Sequence, residues 1–277
     1  MIGFFIKKNF FDGWENIFTI FVSNLITILW IAFCVVCIFI WGNAPANSTT
    51  LGMLTAFLCF YVFIFFAIMG LFILIGAFAQ NAFLIADFKT PSIKSYFINI
   101  FSAVKKYFKF GCLISAIIIA VVVGLPIYIR MDSFYGVMLA MILLFAAIIV
   151  CLALQWYIPL SVLIQGGFKK LVKKSFVVLF DNFAFSIFMA IYSIFLLALS
   201  VVCFFTIPGL NGILLAQVNA LRLRLLKYDW LDQHVELKVA KERKNIPWEA
   251  LLKEDESMLG KKSFKTLFMP WKADHED

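Results

Sequence analysis

NIFTIFVSNLITILWIAFCVVCIFIWGNAPANSTTLGMLTAFLCFYVFIFFAIMGLFILIGAFAQNAFLIA, residues 16–86, runs for 71 residues without an Asp, Glu, Lys or Arg. One helix crossing the hydrocarbon of a bilayer needs about 20 apolar residues. The stretch therefore holds two spans, about 17–41 and 51–79, parted by the polar turn Gly42-Asn-Ala-Pro-Ala-Asn-Ser-Thr-Thr50. Ala44-Pro45-Ala46 has the small residues of a signal-peptidase site, but the preceding apolar run is too long for a signal-peptide core, so the first span is read as retained.

Three further charge gaps follow: Phe110 to Ile129, Ser133 to Phe168, and Asn182 to Leu221. They supply spans at about 110–129, 134–160 and 183–207. The composition agrees. Of 277 residues, 64% are hydrophobic and 14% charged, against roughly 45–50% and about 25% in an ordinary soluble domain. The expected fold is all-α, a polytopic transmembrane helical bundle over residues 1–226 with a charged tail over 227–277.

Charge placement orients the bundle. Residues 1–226 carry 14 Lys/Arg against 5 Asp/Glu, whereas the tail is nearly balanced. Lys7, Lys8, the segment 89–109 and the segment 169–174 all belong on the cytoplasmic side. Pro208-Gly209 breaks the chain after the fifth span, and Arg222, Arg224 and Lys227 then demand a return to that side. A sixth, shorter span at about 212–226 meets the demand if Arg222 and Arg224 snorkel to the interface. Both termini are then cytoplasmic. The excess positive charge lies in membrane-flanking segments, which points to anionic lipid rather than nucleic acid.

Lys105, Lys106 and Lys109, with Lys169, Lys170, Lys173 and Lys174, are the candidate contacts for anionic lipid or an acidic partner, including the chain's own Glu254-Asp255-Glu256. In 94–110 the apolar stripe is Phe97, Ile100, Phe101, Val104 and Phe108. In 168–179 it is Phe168, Leu171, Val172, Phe176 and Leu179. Two arrangements suit both segments: helices lying in the interface, or spans extended into the cytoplasm. Lys8-Asn-Phe-Phe, Lys94-Ser-Tyr-Phe and Lys174-Ser-Phe each open a Phe-rich stretch before an odd-numbered span, a loose three-fold repetition. In the tail, residues 235–244 are helix-prone. Pro247-Trp248-Glu249 opens a short helix expected to end at the acidic cluster, and the basic, aromatic stretch 261–272 suits docking on a membrane or partner.

No catalytic, cofactor-binding or metal-ligating set is expected. Both histidines, His234 and His275, lie in the tail, and no acidic residue falls mid-span. Cys34-x-x-Cys37 is mid-helix with no basic neighbour and no second ligand pair. Gln155, Asn211, Gln217 and Asn219 are read first as amide glue between helices and alternatively as a polar pocket between spans four and six.

Several of these motifs resemble the YesL family of bacterial integral membrane proteins. Asp12-Gly-Trp-Glu-Asn-Ile-Phe18 leading to Val22-Ser-Asn-Leu-Ile-Thr-Ile-Leu-Trp30 is similar to that family's first span. Tyr96-Phe-Ile-Asn-Ile-Phe101 with Lys105-Lys-Tyr-Phe-Lys109 is similar to its segment before the third. Tyr157-Ile-Pro-Leu160, Lys173-Lys-Ser-Phe176 and Phe204-Phe-Thr-Ile-Pro-Gly209 also fit. The resemblance covers roughly 1–226. The turn after span one and the long tail depart from the family. A more distant resemblance is to the membrane domain found beside some glycerophosphodiesterases.

The resemblance implies a bacterial inner-membrane protein, sometimes associated with carbohydrate uptake (ABC) transporters, and carries over no functional residue. The functional expectation is a non-enzymatic accessory or scaffold protein. The alternative is a transporter or lipid-handling protein. Replacing Cys34 and Cys37 together by Ala should leave stability unchanged, and metal analysis of the purified protein should find no stoichiometric zinc. One zinc per native chain would overturn the inert reading.

Overall fold

The structure is a computed structural model that describes residues 1–42, 50–234 and 246–260. The described residues form ten helices and no strand. They are α1 (Ile2–Glu15), α2 (Ile17–Gly42), α3 (Thr50–Ala86), α4 (Ile93–Ile129), α5 (Phe134–Leu154), α6 (Tyr157–Leu163), α7 (Phe168–Asp181), α8 (Phe183–Val202), α9 (Gly209–Gln233) and α10 (Trp248–Leu259). Five stretches are long and apolar enough to cross a membrane: Ile17–Trp41, Gly52–Ala86, Ile93–Ile129, Phe134–Leu163 and Phe183–Val202. Their outer faces are largely bare apolar surface, with Phe18, Phe101, Phe134 and Phe204 each more than three-quarters exposed. A soluble chain does not leave such surface in water.

The boundaries differ from the sequence reading where helix propagation meets no obstacle. Span two continues through Gln80 and Asn81 to Ala86, because Asn81, Ala82 and Ala86 face the interior. The 94–110 segment is the lower half of a 37-residue helix, α4, rather than a separate interfacial helix. Ser92 caps it by accepting from the Lys94 N–H.

Its predicted apolar stripe is turned outward. Phe97, Phe101, Val104 and Phe108 are exposed, whereas Tyr96, Ala103 and Tyr107 are buried. Against lipid a phenyl ring gains little from going inward. Small residues permit close packing, and a tyrosine inside finds an acceptor. The second segment does form a separate helix, α7, with Leu171, Ser175, Val178 and Leu179 buried.

Span four is broken after Leu154. Pro159 has no N–H for the Gln155 carbonyl, so the chain bends at Gln155-Trp156 and restarts as α6. In the tail, α10 does not stop at the acidic cluster but runs to Leu259. Leu252, Asp255 and Leu259 make one buried stripe on it. The expectations for 235–244 and 261–272 lie outside the described residues.

Side-chain pairs give the register. α3 and α4 are antiparallel: Ser115 Oγ donates to Phe65 O at 3.0 Å, and Ser95 Oγ to Asn81 Oδ1 at 2.8 Å. α8 and α9 form a hairpin, with Ser200 Oγ accepting from Gly209 N–H at one end and Tyr228 reaching Asn182 at the other. α9 lies at the centre, with eleven of its residues buried, and packs on α1, α2, α3, α6 and α8.

The α8–α9 turn is held by Asn24 of α2. Its amide nitrogen donates to Thr206 O (2.9 Å) and Pro208 O (2.7 Å), and its oxygen accepts from Asn211 N–H (3.0 Å). Gly209 has φ +61°, and a Cβ there would stand 2.3 Å from the Asn24 amide. Past this point α2 runs on as Leu25–Gly42, about 27 Å at 1.5 Å per residue. The hairpin therefore ends well short of the far end of α2.

Asn24→Ala removes three hydrogen bonds, one buried and two part-buried, and should cost about 2–4 kcal/mol, read as unfolding in mild detergent. Gly209→Ala should be comparably damaging. Gly167→Ala, where an added Cβ meets nothing within 4 Å, should be neutral. Equal behaviour of the two glycine variants would contradict the pinned turn.

Candidate functional site

A polar network is enclosed where α1 lies along α8 and α9. Lys8 and Asp12 stand four residues apart on α1, which puts them on one face. Lys8 Nζ is 2.8 Å from Asp12 Oδ2, and both side chains are almost fully buried. Asn219 Nδ2 of α9 donates to the same oxygen at 2.9 Å. Asn9 Nδ2 donates to Tyr192 Oη of α8 at 3.1 Å. The Lys8 ammonium also sits 3.7 Å over the Phe88 ring.

Burial pushes the Lys8 pKa below its usual range, opposed by the Asp12 charge. Burial likewise pushes Asp12 up, opposed by Lys8 and the Asn219 hydrogen bond. The sequence reading placed Lys8 among the topology signals and looked for acidic groups only within the spans, where none falls. The placement of Lys8 is corrected: α1 packs beside the middle of α8, against Phe188 and Tyr192, and brings Lys8 and Asp12 into the interior with it. The i,i+4 spacing was visible in the sequence, but the burial was not.

One turn further along α9, Arg222 makes a two-pronged contact with Asp255 of α10, Nη1–Oδ2 at 2.7 Å and Nη2–Oδ1 at 3.1 Å. Asp87 stands 3.9 Å away. The chain's acidic cluster thus docks through Asp255 on Arg222, not on the lysine-rich helices. Arg222 does not reach outward as a free snorkelling cation.

The four amides do not make one pocket. Gln217 and Asn219 are two residues apart on a helix, about 200° around its axis, so they face opposite ways. Asn211 faces the α2 side through its N–H bond to Asn24, and its own amide atoms have no partner among the described residues. Gln155 donates to Leu152 O and Ser186 O at 2.9 and 3.1 Å. Gln155 and Gln217 do share a cavity of about 340 Å³ between α3, α4, α5, α6 and α9, otherwise walled by apolar groups such as Phe72, Ile117, Cys151 and Leu214.

The lysines divide. Lys105, Lys109, Lys169, Lys170 and Lys173 are exposed and Lys174 is half-buried. Lys106 is also exposed, but its Nζ donates to Ser161 O of α6 at 2.8 Å, beside a cavity of about 230 Å³ with Gln80, Asn99 and Ser102. Among the described residues no three His, Cys, Asp or Glu side chains come together as metal ligands. No family model, curated protein or solved structure matches the chain.

Removing one partner of a buried ion pair leaves an uncompensated charge and costs about 3–5 kcal/mol. Lys8→Met and Asp12→Leu should each lower the unfolding temperature sharply, and the double variant should recover most of the loss. Additive losses in the double variant would show that the two charges do not act as a pair.

Proposed function

We propose that this chain is a non-enzymatic accessory or scaffold protein of a bacterial inner membrane, with both termini in the cytoplasm. The observation that carries the reading is the separation of its charges. Two interior cations are closed on carboxylates, Lys8 on Asp12 and Arg222 on Asp255. Lys169, Lys170 and Lys173 on α7 are exposed and take no carboxylate among the described residues. That face is free for acidic headgroups or an acidic segment of a membrane partner, each lysine contributing about 1 kcal/mol near an anionic leaflet.

The topology belongs to the same proposal. α2 leaves the cytoplasmic side, α3 returns, α4 leaves, α5–α6 return, and α8–α9 form a shallower hairpin that makes six segments in all. The motif resemblance to the YesL family favours a carbohydrate ABC transporter or an envelope complex as partner. A second reading, lipid handling or transport, is favoured by the apolar cavity with its two amides.

The test is capture of partners in mild detergent together with lipid analysis. Lys170→Glu, Lys173→Glu and Lys174→Glu together should reduce partner recovery several-fold while cysteine labelling from outside still reaches position 132 and misses position 94. Labelling of the tail from outside would overturn the topology. Unchanged partner recovery in a correctly oriented triple variant would leave these lysines as topology signals only. A lipid retained by wild type and lost with Gln217→Leu would favour the second reading.

A further inference from the structure

A second cation faces a cavity that none of the preceding interactions uses. Arg222 and Arg224 are two residues apart on α9 and point in different directions. Arg224 lies against the start of α8, its guanidinium carbon 3.8 Å from the Phe185 ring centre and 5.8 Å from that of Trp248. Among the described residues it has no ion-pair or hydrogen-bond partner, and its Nε is buried without an acceptor. A guanidinium carries five N–H donors. Leaving one unpaired in a partly desolvated place is costly.

The cavity beside it holds about 470 Å³ and lies between the α7–α8 junction, the end of α9 and the start of α10. Among the described residues, three charged side chains line it, those of Asp181, Arg224 and Lys227. Lys227 Nζ is 3.2 Å from Asp181 Oδ2, and Tyr228 Oη donates to that same oxygen. Burial opposes ionisation of Asp181, but the hydrogen bonds from Tyr228, Lys227 and Asn182 outweigh it and hold the carboxyl below its usual range. Lys227 and Asp181 therefore neutralise each other, and the surplus charge is that of Arg224. On the rim, Phe180 and Phe183 are 67% and 50% exposed. They stand where the apolar α8 begins, at the end of the bundle that carries the lysines.

We propose that this cavity binds the headgroup phosphate of an anionic phospholipid. Arg224 supplies the paired N–H donors, Lys227 a second cation at the mouth, and Phe180 and Phe183 the surface for the first acyl carbons. A planar guanidinium held between two rings is already oriented for a bidentate phosphate contact. The exposed rings distinguish a lipid from a free anion, which would have no use for them. The site is separate from the α7 lysines and stands independently of the accessory role.

The experiment uses the full chain in neutral detergent, titrated with short-chain phosphatidylglycerol, short-chain phosphatidylcholine or inorganic phosphate. Tryptophan fluorescence and unfolding temperature are followed, and Trp248→Phe assigns the optical signal. Wild type should respond saturably to phosphatidylglycerol and not to the other two. Arg224→Gln should weaken the response about tenfold or more, and Arg224→Lys less, because it keeps the charge and loses the fork. Lys94→Gln, at an exposed lysine outside every proposed contact surface, should leave it unchanged.

An equal response to inorganic phosphate would overturn the lipid assignment in favour of a free-anion site. An unchanged response in Arg224→Gln would overturn the site itself. No response of wild type to any anion, with Arg224→Gln simply destabilised, would show that the chain's own groups fill the cavity. If Arg224→Gln fails to fold, the comparison of wild type with Arg224→Lys decides, and identical titrations overturn the proposal.

Discussion

A polar side chain inside a membrane bundle has no water to fall back on, and the architecture of this chain follows from how that constraint is met around α9. This helix carries Asn211, Gln217, Asn219, Arg222 and Arg224, and it sits at the centre with eleven of its residues buried. Three of these positions recruit a neighbour. Asn211 takes Asn24 through its backbone, Asn219 takes Asp12, and Arg222 takes Asp255. The partners come from α2, α1 and α10, elements far apart in the chain. Satisfying α9 thus draws the N-terminal helix and the tail helix onto the same core.

The α1 pair shows why such a charge persists in an apolar fold. Desolvation of Lys8 and Asp12 costs several kcal/mol per ion, and their mutual attraction repays it only with supporting hydrogen bonds. Asn219 provides one, and the Phe88 ring stabilises the ammonium from the other side. The arrangement selects one packing of α1 against α9, since a slip of one residue would bury both charges unpaired.

The two ends of the molecule differ in what they expose. Away from the lysines, α2 to α5 present mainly Phe, Ile, Leu and Val outward and make few polar contacts. At the lysine-bearing end, α6, α7, α9 and α10 close around aromatic stacks such as Phe110 on Tyr157, 4.1 Å apart. The buried tyrosines belong to this half: Tyr107 shares a hydrogen bond with Ser161, and Tyr96 packs on Phe78. The bundle is therefore welded at one end and lipid-facing at the other.

The class of fold and the approximate course of five apolar helices were legible from the sequence because hydropathy is local and nearly additive. About 20 apolar residues behave as a span whatever lies beside them. Pairing is different. The burial of Lys8 and Asp12, the outward turn of Phe97, Phe101 and Phe108, the split of Gln217 from Asn219, and the open cavity at Arg224 depend on which helix faces meet. In lipid a phenylalanine is satisfied on either side of a helix, so periodicity alone cannot say which face is interior. The tertiary structure decides it through the polar groups, because only they lose heavily when their partners are absent.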